Sequence, residues 1–299
     1  MTAVSKTPGW LDFYHNPSRP DFQLPKGAVD AHCHVFGPDP EFPFAAERKY
    51  TPCNASKDDL WALKSRLGFT RNVIVQATCH GSDNRAVLDA IADAHGLAKG
   101  IASVEVGVSD GELARLAKGG IKAVRFNFVK RLVMPVSPEI LLPLAARIDA
   151  AGMHIVIYFE SPDLPALYDF IASIPAIVVV DHMGRPDLSK PVDSAEFLLF
   201  LKLMAAHENI WCKTTCPERL SHTGPPTYDD FVPFAHSIIS QFPDRVLWGT
   251  DWPHPNLKSH MPDDAWLVDM IPRIAPTKIL QRKLLVDNPM RLYWPEEGV

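Results

Sequence analysis

His32 and His34 end one apolar run, GAVDAHCH, and Asp251 ends another, RVLWGTD, near the far end of the chain. Side chains two apart on a strand share a face, with Cα atoms roughly 6.6–7 Å apart, so both imidazoles can be aimed at one point. A carboxylate at the end of a late strand reaches that point only if the sheet curls round until its last strand meets its first. Imidazoles and a carboxylate gathered in this way suit acid–base chemistry, or the holding of a metal ion. Cys33 lies between the two histidines and points to the opposite face, where it packs rather than reacts.

Eight strand-like runs recur along the 299 residues: AVDAHCH, NVIVQATCH (72–80), GIASVEV (100–106), IKAVRFNF (121–128), MHIVIYFE (153–160), AIVVVDHMG (176–184), NIWCKTTC (209–216) and RVLWGTD (245–251). They are continuously apolar rather than alternating, as parallel strands buried on both faces are. Helix-like stretches separate most of them, the first capped by Ser56. Gly100, Gly120 and Gly152 are expected just past helix ends, at left-handed caps. Strands alternating with helices predict a (β/α)8 barrel, with a doubly wound open sheet as the alternative. Residues 1–26 read as an irregular arm, and 27–299 as one catalytic barrel domain.

In such a barrel the polar residues at the carboxyl ends of the strands are the functional candidates. In chain order they are His32 and His34; Thr78 and His80; Arg125 and Asn127, with Lys130 and Arg131 beyond. Then come Tyr158 and Glu160; Asp181, His182 and Arg185; Lys213 and Thr215, with Arg219 beyond; and Asp251, His254 and Asn256. His80 can either cap the following helix or face the site, and Arg185 can anchor a loop.

A formal net charge of −5 argues against general binding to nucleic acid or an anionic membrane. The N-terminal residues MTAVSKTPGW lack the apolar core of a secretion signal. The five cysteines are odd in number and lack zinc-finger spacing, so thiols in a reducing cytoplasm are expected. The expected partner is a small molecule.

The strings DAHCHVFGP, NVIVQATCHG, RFNFVKRLV, VIYFE, DHMGRP, WGTDWPHPN and NPMRLYW, taken together and in order, resemble the 2-pyrone-4,6-dicarboxylate lactonases of the amidohydrolase superfamily. The similarity runs from about residue 27 to 294. It implies hydrolysis of 2-pyrone-4,6-dicarboxylate to ring-opened 4-oxalomesaconate (4-carboxy-2-hydroxymuconate) in the breakdown of lignin-derived protocatechuate. It also implies an enzyme that works without a metal. Metal-dependent members of the superfamily carry a further histidine on the fifth strand, where this chain has Tyr158, and binuclear members a Lys or Glu on the fourth, where it has Arg125. The alternative is a metal-dependent hydrolase or decarboxylase acting on a related lactone or carboxylate, with zinc on His32, His34, His182 and Asp251.

Under the lactonase reading Asp251 is the base that takes a proton from water, and His32, His34 and His182 hydrogen-bond the lactone carbonyl and the oxyanion that grows on it. Arg125, Arg131 and Arg219 grip the substrate carboxylates, since guanidinium makes two parallel hydrogen bonds to a carboxylate. Tyr50, Thr78, Tyr158 and Asn256 match pocket-lining positions of the resembling lactonases, and His254 is grouped with them as substrate-binding.

Overall fold

The computed structural model describes residues 5–298, in which eight parallel strands stand side by side in chain order. They are β1 (Val29–Cys33), β2 (Arg71–Val75), β3 (Ala98–Ala102), β4 (Ile121–Asn127), β5 (His154–Tyr158), β6 (Val178–Val180), β7 (Ile210–Lys213) and β8 (Val246–Leu247). The helices between them are α1 (Lys57–Leu67), α2 (Arg85–Asp93), α3 (Asp110–Lys118), α4 (Pro138–Ala150), α5 (Leu164–Ser173) and α6 (Ala195–Ala206), then the short α7 (Pro217–Leu220), α8 (Phe231–Gln241) and α9 (Asp264–Asp269). Ser56 caps α1 in a reciprocal capping box with Asp59, as its sequence suggests. This is the predicted (β/α)8 barrel, in a nearly closed form. Among the described residues no helix is long and apolar enough to cross a membrane.

Two layers of side chains fill the barrel. Val29, Ala31, Val73, Val75, Ile101, Ala123, Val156, Val179, Trp211 and Leu247 form one buried apolar cluster inside it, together with Leu292, Tyr293 and Trp294 from the C-terminal segment. Strand alternation then puts Arg125, Tyr158, Asp181 and Lys213 one step above Ala123, Val156, Val179 and Trp211, on the same inward side. β1 joins this pattern through a bulge. Its register against β2 gains one residue between Asp30 and Cys33. The extra residue lets Val29 and Ala31 face inward and brings His32 and His34 to the same side, while Cys33 joins the outer core.

The barrel closes through the backbone just past β8. Ala31 N–H donates to Trp248 O at 2.9 Å, Asp251 N–H to His32 O at 2.8 Å, and His34 N–H to Trp252 O at 2.8 Å. The Asp30 carboxylate accepts from Thr250 N–H at 3.0 Å and Thr250 Oγ1–H at 2.8 Å, and from His32 N–H at 3.1 Å. Burial raises the Asp30 pKa to about 7 against these bonds. Gly249 allows the approach, because a Cβ there would run into the His32 backbone and lie 2.8 Å from the Asp30 carboxylate.

Two expectations change. The strands are shorter than the apolar runs: the run at 72–80 leaves the ladder after Val75 and that at 176–184 after Val180, where 3-10 turns at Thr78–His80 and Asp181–Gly184 begin. Gly100 is not a helix cap but lies inside β3. A Cβ there would sit 2.6 Å from Ile121 Cδ1 and 2.7 Å from Ile91 Cδ1, so both isoleucines pack onto the bare glycine and would have to move aside for a side chain; the left-handed glycine after α2 is Gly96. Gly120 and Gly152 do take positive φ after α3 and α4. In the expected 1–26 arm, residues 5–26 form no helix or strand, and Phe13 packs edge-on against Trp252 at 5.0 Å. Residues 1–4 of that arm and residue 299 lie outside the described residues.

Gly249→Ala should lower unfolding stability by roughly 1–3 kcal/mol, the usual cost of overpacking. Urea unfolding of the variant checks this, and an unchanged midpoint would mean that the seam has slack.

Candidate active site

Asp251 stands at the seam with φ 63°, a left-handed backbone that Asp tolerates better than most residues. Its Oδ1 lies 3.3 Å from His32 Nε2 and 3.1 Å from His34 Nε2, and its Oδ2 accepts from Arg219 Nε at 2.9 Å. Burial would raise its pKa, but the Arg219 charge and the His34 hydrogen bond hold the carboxyl well below its ordinary range. The late carboxylate and the early histidines therefore meet, as the spacing of their strands predicts.

The three imidazoles are held differently. His34 Nδ1–H donates to Val75 O at 2.8 Å, so the contact between its Nε2 and Asp251 needs a second proton or another cation. His32 is fully buried, and burial plus the Lys213 charge push its pKa down to about 3, leaving it neutral. His182 is the second residue of the turn after β6, at φ 53°, with Nδ1 2.6 Å from Thr215 Oγ1. Burial and the neighbouring His32 push its pKa well down. Its ring centroid lies 4.6 Å from that of His32 and 5.0 Å from that of Tyr158.

Beneath them runs a buried ionic layer that the strand-end pattern lists but does not connect. Lys213, fully buried, places Nζ 3.1 Å from His32 Nδ1 and 3.2 Å from Asp181 Oδ1. Asp181 Oδ2 lies 2.8 Å from Arg125 Nη2, and the Arg125 guanidinium lies 4.6 Å from the Tyr158 ring centroid. Burial opposes ionisation of Asp181, yet Lys213 and Arg125 hold it well below the usual carboxylate range. Arg125, expected to grip a substrate carboxylate, is already paired with Asp181, though it still reaches the cavity.

Above this layer opens a narrow polar cleft. Of the residues predicted from sequence, His34, His182, Asp251, Tyr50, Thr78, Arg125, Arg131, Tyr158, Arg219 and Asn256 line it; His32 sits just below and His254 elsewhere. Arg131 stands at the rim, 3.4 Å from Tyr158 Oη and 3.5 Å from Glu160. Arg185, read as a loop anchor, also donates to Tyr158 Oη at 3.2 Å. His80 does not enter the cavity. It bonds Pro43 O at 3.1 Å and accepts from Gly37 N–H at 3.3 Å, tying down the loop after β1.

His254 is the residue placed differently from its expectation. The backbone turns at φ 55° and carries the imidazole away from the cavity, between two buried carboxylates. Its Nδ1 lies 3.4 Å from Glu218 and its Nε2 3.0 Å from Asp264 at the start of α9. Burial disfavours its charge, but these carboxylates outweigh it and raise its pKa to about 10. Glu218 also lies 3.3 Å from Arg219 Nε. An ionic chain therefore runs from Asp264 through His254, Glu218 and Arg219 to Asp251, and His254 braces the site without touching the cavity.

Several buried groups could hold a metal ion. His32, His34 and Asp251 bring donor atoms within 4.8 Å of one another; His182 falls into other groups, with Cys216 and Asp251 or with His32 and Asp181. The four expected zinc ligands do not form one set among the described residues.

The amidohydrolase family model matches residues 29–294. The chain is 63% identical to 2-pyrone-4,6-dicarboxylate hydrolase of Comamonas testosteroni, over 99% of this chain and 100% of that protein. It is 38% identical to 4-sulfomuconolactone hydrolase of Rhizobium radiobacter, over 91% of each. Among solved structures, one from Acinetobacter baumannii, described as a probable 2-pyrone-4,6-dicarboxylic acid hydrolase with citric acid bound, superposes with a TM-score of 0.77. It is 25% identical and covers 90% of this chain and 99% of its own.

His254 makes a pH prediction with a definite sign. The folded imidazole titrates at about 10 and an unfolded one near 6.5. The folded state therefore holds the extra proton, and its stabilising effect is complete below about pH 6.5 and lost as pH rises toward 10. Urea midpoints should fall from pH 6.5 to 8.5, with a shallower fall in His254→Gln. Equal slopes in the two proteins would mean that the buried imidazole is neutral.

Proposed function

Because the chain belongs to the amidohydrolase family, we propose that it hydrolyses the lactone of 2-pyrone-4,6-dicarboxylate, with Asp251 as the base. One observation carries this reading. A single cavity holds three guanidinium groups, from Arg125, Arg131 and Arg219, and one carboxylate, Asp251. Such a lining attracts a dianion, and a carboxylate among these cations opposes binding unless it does chemistry. The hydrolase activities named for the relatives at 63% and 38% identity, and the citric acid held by the Acinetobacter protein, agree with a polycarboxylate lactone as substrate.

In this mechanism the substrate carboxylates draw on Arg219, Arg131 and the cavity-facing edge of Arg125, while Tyr50, Thr78, Tyr158 and Asn256 shape the rest of the pocket. A carboxylate that takes over part of Arg219 loosens its hold on Asp251 Oδ2 and frees that oxygen for a water molecule. Asp251 accepts a proton as the water oxygen bonds to the lactone carbon. Hydrogen bonds from His32 and His182 stabilise the oxyanion, each typically contributing about 2.7–4 kcal/mol, and His34 joins them once its Nε2 carries a second proton, because its Nδ1–H is held by Val75 O. The carbon–oxygen ring bond then breaks, the leaving oxygen takes the proton back from Asp251 to become the enol of the open chain, and the new carboxylic acid releases its proton to solvent.

We read the reaction as needing no metal. The donors of His32, His34 and Asp251 are spaced as a metal ion would need, but their neighbours fit one poorly. Arg219 occupies the second Asp251 oxygen, Lys213 stands against His32, and Arg125 stacks on Tyr158 where a further ligand would be required. A divalent ion would add two positive charges beside the Lys213, Arg125 and Arg219 cations that already stand against its candidate ligands. The five unpaired thiols agree with a reducing, cytoplasmic setting.

Incubation with 2-pyrone-4,6-dicarboxylate should abolish the pyrone absorbance, and Asp251→Asn should slow this by about 10²-fold or more, since an amide cannot accept the proton. Affinity for the dianion should hold or rise. Near-normal turnover would sink the general-base role; lost affinity would make Asp251 a structural or metal-holding residue.

Exhaustive chelation should leave activity intact. Stoichiometric zinc whose removal stops turnover and whose return restores it would overturn the metal-free reading.

A further inference from the structure

We propose that Lys213 is a positioning residue that fixes His32 as the tautomer whose only proton sits on Nε2. The functional half of this inference rests on the lactonase reading; the tautomer itself does not.

Lys213 is the last residue of β7, and strand alternation turns its ammonium inward above Trp211. It is fully buried, an unusual position for a lysine, which must therefore be paired there. Its Nζ meets His32 Nδ1 at 3.1 Å with hydrogen-bond geometry. An ammonium has donors and no acceptor, so Nδ1 must offer its lone pair. A neutral imidazole has one N–H, which then lies on Nε2, the nitrogen 3.3 Å from Asp251 Oδ1. Asp181 Oδ1 also lies 3.3 Å from His32 Nδ1, and a proton on Nδ1 would point to it; neither this contact nor that of Nε2 with Asp251 has hydrogen-bond geometry, so the bond from Lys213 decides the tautomer. Asp181 instead balances the charges of Lys213 and Arg125.

The assignment has two effects. His32 presents a donor toward Asp251 and the carbonyl above it, as oxyanion stabilisation requires. A protonated Nε2 also has no lone pair for a metal ion, so Lys213 withdraws one ligand from the group of His32, His34 and Asp251.

Long-range proton–nitrogen spectra of 15N-histidine-labelled enzyme test this, with the His32 signals assigned by their loss in His32→Gln. The wild type should show an unprotonated Nδ1 and a protonated Nε2 at His32. In Lys213→Met the signals should move toward the Nδ1–H form facing Asp181, and kcat for the lactone should fall at least tenfold with KM within threefold. His32 protonated at Nδ1 in the wild type would overturn the proposal, as would Lys213→Met with kcat within threefold of wild type. Should that variant fail to fold, the wild-type spectrum still decides the tautomer. A wild-type enzyme inert toward the lactone would overturn the reaction reading alone.

Discussion

A carboxylate at residue 251 faces imidazoles at residues 32 and 34 because the backbone beyond β8 zips onto β1. That seam is narrow: β8 itself has two residues, and closure depends on the bonds of Ala31, His32 and His34 to the segment 248–252. Asp30 rivets it by holding Thr250, and Gly249 lets the two backbones touch. The bulge in β1 then sets the aim of the histidines. Without the extra residue, strict alternation would put either Val29 and Ala31 or His32 and His34 on the outer face. One local irregularity thus lets a single strand supply both barrel core and site.

The second constraint is charge. Charged groups taken out of water are tolerated only when paired, and breaking a buried pair commonly costs about 3–5 kcal/mol. Lys213, Asp181 and Arg125 form one such paired group, and Asp264, His254, Glu218, Arg219 and Asp251 form another. The two meet at His32, which touches Lys213 on one side and Asp251 on the other. Both groups hold their carboxylates ionised against burial where the reaction needs them, at Asp251 and behind His32. Opposing charges fixed in place also leave the cavity little freedom to relax, which favours a preorganised site over one assembled by substrate.

Much of this was legible in the chain. Continuous apolar runs separated by helical stretches carry the barrel, and period-two spacing carries the His32–His34 pair and the outward Cys33. What the pattern missed has physical causes. Run length overstates strand length, because at the mouth of the barrel the chain stays buried after leaving the ladder, as at Thr78 and Asp181. His254 follows Asp251 closely in sequence, yet a left-handed turn sends it the other way, and sequence distance carries no sign of that. Lys213 and Asp181 stand among the strand-end polar residues, but their pairing with His32 and Arg125 exists only once β4, β6 and β7 lie together. The β1 bulge leaves no mark in DAHCH at all. Gly100 resembles a helix cap because glycine serves both backbone freedom and close packing.

His182, Met183, Arg185, Asp251, His254 and Asn256 all adopt positive φ around the mouth of the barrel. Such conformations cost of order 1 kcal/mol or more for residues with a side chain, and here they aim side chains that function needs. The fold is therefore least relaxed where it is most useful. Anyone breeding this enzyme for heat resistance would meet a trap at His182: glycine or asparagine there eases the backbone, so a screen for survival alone would reward loss of the imidazole. Directed evolution of this barrel for industrial use has to score turnover and endurance together, and to seek hardening on the helical side, away from the mouth.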